Sequence, residues 1–144
     1  MAFKERKETK YVVVHCSATK PSQDFQVSDI KRMHLQRGFL DIGYHFVITR
    51  SGEVQKGRDA KVIGAHVEGF NAVSVGVCLI GGVSEADGKT PENNFTEAQF
   101  KALRGVIKAL KEIHPDAIVQ GHRDFPKVAK ACPCFDVKEW LSKE

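Results

Sequence analysis

His15 closes the apolar run Tyr11-Val12-Val13-Val14 and is followed by Cys16-Ser17-Ala18-Thr19. Far downstream stand Gly121-His122-Arg123-Asp124 and then Lys130-Ala131-Cys132-Pro133. Two neutral imidazoles and a thiolate suit a borderline-soft cation such as zinc. Three protein ligands leave one tetrahedral position open, which separates a catalytic zinc from a structural one closed by four ligands. The spacing is not that of a zinc finger. Taken alone, the three residues also fit an unrelated edge-strand histidine, loop histidine and buried cysteine.

The elements that must position them follow from pattern. Residues 11–16 read as a buried strand, and Ala117-Ile118-Val119 as a strand leading to His122. Both histidines then stand where strands run out into loops and can share one sheet edge, with Cys132 folding back from beyond. Alternation along the first strand turns Cys16 away from His15 and into the core. A helix capped by Ser28 is expected to run to about Arg37 and stop at Gly38. Gly43–Thr49 reads as a strand turning through Arg50-Ser51-Gly52-Glu53 into Val54-Gln55-Lys56. Residues 58–73 read as an irregular loop and 74–81 as a buried strand. Thr96 and Gln99 form a capping box that opens a helix over 96–113. Its apolar face is Phe100, Leu103, Ile107 and Leu110, leaving Lys101, Arg104, Lys108 and Lys111 as a solvated stripe. Asp136 caps a last helix anchored by Trp140. This alternation predicts an α/β (α+β) single domain over 1–144, a central mixed sheet flanked by helices, with residues 1–10 as a mobile polar arm.

Composition narrows the function classes. The chain has 144 residues, 42% hydrophobic and 28% charged, enough for one domain with a real core. A formal charge of +4 favours approach to an anionic surface without selecting one. No segment approaches the roughly 20 apolar residues of a membrane span. The charged N-terminus lacks the apolar segment of a secretory signal, so a cytoplasmic location is expected. That compartment argues for free thiols at Cys16, Cys78, Cys132 and Cys134. Cys78 lies in the run Val75–Ile80 and reads as core, leaving Cys132 as the cysteine with a chemical setting.

Val14-His15-Cys16-Ser17-Ala18-Thr19, Gly38-Phe39-Leu40-Asp41-Ile42-Gly43-Tyr44-His45-Phe46, Ser74-Val75-Gly76-Val77-Cys78-Leu79, Gly121-His122 and Lys130-Ala131-Cys132-Pro133 occur in that order. Together they resemble the zinc-dependent N-acetylmuramoyl-L-alanine amidases of the peptidoglycan-recognition fold, and among these the T7-type phage lysozymes, from about residue 3 to 142. The resemblance implies one Zn2+ per chain on His15, His122 and Cys132, and cleavage of the amide between N-acetylmuramic acid and L-alanine. It implies catalytic roles for Tyr44 and Lys130, and a substrate groove touched by His66 and Asn71. It also implies a phage or prophage endolysin that reaches the wall through a holin or membrane damage.

Several expectations bound that reading. No carboxylate matches the glutamate that some relatives place at the site. His45, next to Tyr44 on a strand, is expected to make a structural hydrogen bond. His34 is expected to pack or cap, and His114 to cap. Cys134, where close relatives carry serine, could compete for metal or oxidise with Cys132. The T7-type lysozymes also inhibit a phage-type RNA polymerase, and Phe3-Lys4-Glu5-Arg6-Lys7 loosely resembles the arm involved. Peptidoglycan is the expected partner, with no direct nucleic-acid contact, no membrane insertion and a monomeric state. The alternatives are a non-catalytic peptidoglycan-recognition module, which typically lacks the cysteine ligand, and a cytoplasmic muropeptide-recycling amidase.

Overall fold

The computed structural model describes residues 3–128 and 130–143. Its centre is a five-stranded sheet in the order β3-β2-β4-β1-β5. The strands are β1 (Tyr11–Cys16), β2 (Phe46–Ile48), β3 (Val54–Lys56), β4 (Ser74–Leu79) and β5 (Ile118–Gly121). β1 lies parallel to β4 and β5, β2 lies parallel to β4, and β3 pairs antiparallel with β2. Three α-helices, α1 (Val27–Gln36), α2 (Glu97–Ile113) and α3 (Val137–Ser142), complete a single mixed α/β domain.

The alternation of β1 divides the core between two sheet faces. Val12 and Val14 join Val75, Val77 and Leu79 beneath Leu103, Ile107 and Leu110 of α2 and Val137 of α3. On the other face Val13 meets Val67 and Phe125, while Val47, Cys78 and Ile80 receive Ile30 of α1 and Ile42. Each such aliphatic side chain, fully buried, contributes about 1.5–3 kcal/mol. His15, next to last in β1, lies on this second face, paired in register with Cys78.

α2 is pinned as well as packed. Thr96 Oγ1 accepts the Gln99 N–H at 3.0 Å, and Gln99 Oε1 accepts the Thr96 N–H at 2.9 Å, the expected capping box. Gln99 is also fully buried, and its Nε2 donates to the carbonyls of Ile48 and Ile80 at the ends of β2 and β4. The expected basic stripe is only partly solvated. Lys101 and Lys108 are exposed, but Lys111 Nζ donates to the carbonyls of Pro115 and Ala117, tying down the chain beyond α2. Arg104 lies over the Trp140 ring, 4.3 Å from its centroid.

Three local expectations differ from the structure. Ser28 does not cap α1; the N-cap is Gln26, whose N–H donates to Asp29 Oδ2 at 2.8 Å, and Ser28 is exposed inside the first turn. An acid three residues after the N-cap meets the helix start more favourably than a serine already inside the first turn. The strand expected over 43–49 is confined to Phe46–Ile48, because Gly43 packs backbone to backbone with Ala65, whose N–H donates to the Gly43 carbonyl. Of the arm expected over residues 1–10, residues 1–2 lie outside the described residues, and residues 3–6 lie along the 58–73 loop. Arg6 N–H donates to the Lys61 carbonyl, Ile63 N–H to that of Lys4, and Arg58 stacks over Phe3. Among the described residues no helix is long and apolar enough to cross a membrane.

Candidate active site

The parallel pairing of β1 with β5 delivers His15 and His122 to the same sheet edge. Gly121 ends β5, and His122 begins a 3-10 turn whose Asp124 Oδ2 accepts the Gly121 N–H at 2.9 Å. A side chain at 121 would meet Pro133 Cδ at 2.7 Å, so glycine lets the returning loop approach. That loop is held by Arg123 N–H donating to the Cys132 carbonyl at 2.9 Å. It is also held by Cys16 N–H donating to Cys132 Sγ at 3.1 Å. The outcome is a cluster in which one donor atom each from His15, His122 and Cys132 lies within 4.8 Å of the others. His15 Nδ1 is 3.9 Å from Cys132 Sγ.

Electrostatics keep the two imidazoles uncharged. Burial pushes His15 well below the ordinary imidazole value, and His66, His122 and Lys130 add to the effect. Burial and Lys130 also lower His122. Both rings are therefore neutral at pH 7 and present lone pairs. The donor set, two neutral imidazoles and a cysteine sulfur, fits zinc with a position left over.

The cluster opens on a cleft of about 1100 Å3 lined by Tyr44, His66, Asn71, His122, Lys130 and Cys132 among others. Tyr44 stands beside His15, ring centroids 4.9 Å apart, and beside His34 at 5.2 Å. Burial, then the neighbouring thiols, raise its phenol well above 10, so it remains a hydrogen-bond donor. Lys130 is exposed at the rim. These positions suit stabilisation of negative charge developing near the metal position.

His66 and Asn71 line the cleft, but each is engaged behind it. His66 is 9% exposed, and its Nδ1 lies 2.8 Å from His15 Nε2. Asn71 Oδ1 accepts the N–H groups of His66 and Val67 at 2.7 and 2.8 Å, fixing the loop. His45 is structural, its Nδ1 accepting the Gly76 N–H. His34 Nδ1 accepts the Gly43 N–H, and His114 is the C-cap of α2. Cys134 Sγ donates to the Gly82 carbonyl at 3.2 Å and is not in the metal-ligand cluster. Sequence reasoning missed Glu68, the one carboxylate lining the cleft among the described residues, and Arg37, which leaves the end of α1 toward it. Neither carried a motif; only the loop's path brings them there.

The chain matches the sequence model of the family described as N-acetylmuramoyl-L-alanine amidase over residues 5–135. It is 48% identical to the endolysin of Klebsiella phage KP32 over 141 residues, covering 98% of this chain and 91% of that protein. It is 45% identical to the endolysin of Escherichia phage T7, with the same coverage. Among solved structures, the Ph2119 endolysin of a Thermus scotoductus bacteriophage aligns with TM-score 0.76 and 27% identity, covering 97% of this chain and 86% of that one. The amidase LysC of Clostridium intestinale URNW shares the fold, with TM-score 0.81 at 23% identity over 100% of this chain and 92% of that one.

Proposed function

The chain belongs to the N-acetylmuramoyl-L-alanine amidase family, and from that premise we propose a zinc-dependent endolysin that uses His15, His122 and Cys132 as metal ligands. The observation that carries the proposal is the convergence of those three donors within 4.8 Å at a cleft that also holds Tyr44 and Lys130. Peptidoglycan is the substrate of this family, and the bond cut is the amide between the lactyl group of N-acetylmuramic acid and L-alanine. Zinc, when bound, supplies a Lewis acid and a lowered pKa for water at its open position.

The rest of the chemistry belongs to the chain. Hydrolysis adds water to the lactyl carbonyl carbon and breaks the C–N bond, leaving a carboxylate and the free amine of L-alanine. Negative charge develops on the carbonyl oxygen on the way. The protonated phenol of Tyr44 donates a hydrogen bond to that oxygen or to the attacking water. The Lys130 ammonium stands at the rim as a fixed positive charge for the same oxygen. Preorganised groups of this kind often provide the largest share of rate enhancement. His66 and Asn71 shape the groove wall that receives the sugar and peptide. A non-catalytic recognition module fits less well, since the chain carries Cys132, Tyr44 and Lys130 along one cleft.

Digestion of purified peptidoglycan with and without a chelator tests the proposal. New alanine amino termini, lost with chelator and restored by zinc, are expected without new reducing sugars; new reducing ends would overturn it. For delivery, we propose release through a phage holin or membrane damage. Lysis of intact cells only after permeabilisation is the expected result, and activity confined to free muropeptides would favour recycling instead. The chain acts as a monomer in this reading, which sedimentation checks directly.

A second reading, inhibition of a phage-type RNA polymerase, draws on the N-terminal strip, where Lys4, Glu5, Lys7 and Glu8 are exposed along an anchored backbone. Lys4→Glu with Lys7→Glu should relieve inhibition of single-subunit polymerase transcription and leave lysis intact. No inhibition by the intact protein ends this reading.

A further inference from the structure

We infer that Ser74 and His66 act as a tautomer-setting pair that obliges His15 to offer its Nδ1 lone pair to the metal position. This makes His66 a positioning residue, and the metal end of the inference rests on the zinc reading above.

The assignment follows from counting hydrogens along a buried chain of four groups. Ser74 Oγ lies 2.8 Å from the Phe70 carbonyl oxygen, which can only accept, so the Ser74 hydroxyl proton is committed there. His66 Nε2 lies 3.3 Å from the same Oγ and must therefore be the donor of that contact. A neutral imidazole carries one N–H, which leaves His66 Nδ1 as an acceptor. The group facing it at 2.8 Å is His15 Nε2, which must then carry the hydrogen. His15 Nδ1 is left with a free lone pair, and this nitrogen is the one 3.9 Å from Cys132 Sγ. Ligand histidines usually donate their second N–H to a carboxylate, a carbonyl or water. Here a second histidine takes that place, and its own orientation is decided one residue further back.

The surroundings fit the His66 ring to this task. It is only 9% exposed and hydrogen-bonds to no carboxylate among the described residues, so a neutral ring is the form that suits it. It packs flat over Gly76, where even a Cβ would come within 2.7 Å of its Cγ. Asn71 clamps its backbone. Ser74 is fully buried at the start of β4, so the far end of the chain is anchored in the sheet that carries His15. Every link is thus attached to β1, β4 or the clamped loop between them.

The test uses the full-length protein in two states. In the metal-free protein, long-range proton–nitrogen NMR should find both His15 and His66 protonated on Nε2, and Ser74→Ala should give His66 a mixture of tautomers. His15 protonated on Nδ1 would overturn the inference whatever the protein does with zinc. Zinc affinity, measured by chelator competition, should weaken about 10–100-fold in His66→Phe, which keeps a ring but has no acceptor. His66→Gln, whose amide oxygen can accept the same hydrogen, should recover most of that loss. An unchanged affinity in His66→Phe would also overturn it. Failure of the wild-type protein to take zinc at all would instead refute the metal reading while leaving the tautomer result to stand or fall by itself.

Discussion

Cys132 Sγ accepts the backbone N–H of Cys16 at 3.1 Å, across 116 positions of sequence. The residue that follows His15 along β1 therefore seats the sulfur that converges with its imidazole in the candidate metal cluster. His15 and Cys16 point to opposite faces of the strand, yet the backbone between them serves one centre. The Cys132 sulfur is placed by main-chain geometry at the strand end.

From this placement, Cys132→Ser should lose zinc and amidase activity together. Cys134→Ser should retain both, because the Cys134 thiol is turned to the Gly82 carbonyl beside Cys16. Zinc content by atomic absorption and alanine release from peptidoglycan check the pair of variants. The opposite pattern would assign the wrong cysteine to the metal.

Tyr44→Phe and Lys130→Met should each keep zinc and lower kcat by about 100–1000-fold, the usual effect of removing one preorganised donor. Lys130→Arg should retain part of the activity, since the charge remains at the exposed rim. Steady-state kinetics on soluble muropeptide, beside metal content, separates these outcomes from a folding defect.

Gly76→Ala should be far more damaging than a buried methyl group ordinarily is. The added carbon would lie 2.7 Å from Cγ and 2.8 Å from Nδ1 of His66, in a β4 strand that has no room to shift. Overpacking of this kind costs about 1–3 kcal/mol, and zinc affinity should fall with stability as the His66 ring is pushed from His15. Urea unfolding and chelator competition on the same variant measure the two effects.

Acid should destabilise the metal-free protein in a defined window. Burial lowers His45 from 6.5 to about 4, so as pH falls the unfolded chain takes up the proton first. Stability therefore declines between pH 6.5 and about 4, by at most about 1.4 kcal/mol per pH unit from this residue. Urea midpoints at pH 7 and pH 5 should differ by less in His45→Gln than in the wild type.

Much of the framework was legible because short-range rules act strongly here. The run Tyr11–Cys16 could hardly be anything but a buried strand, and Thr96 with Gln99 wrote the start of α2 into four residues. Other features depended on partners distant in sequence. Ser28 looked like a cap until Asp29 reached back to Gln26. Lys111 looked solvated until the carbonyls of Pro115 and Ala117 folded under it. Residues 1–10 read as a mobile arm, yet Lys4 and Arg6 pair by backbone hydrogen bonds with the 58–73 loop.

By itself the sequence nominated the candidate side chains His15, Tyr44, His122, Lys130 and Cys132, since residue type and the order of motifs can be read along the chain. Only the tertiary structure decided what His66 does. Its neighbours His15 and Ser74 are 51 and 8 residues away. Which nitrogen bears a proton follows from who faces whom across the sheet, and no periodicity or spacing in a chain encodes that.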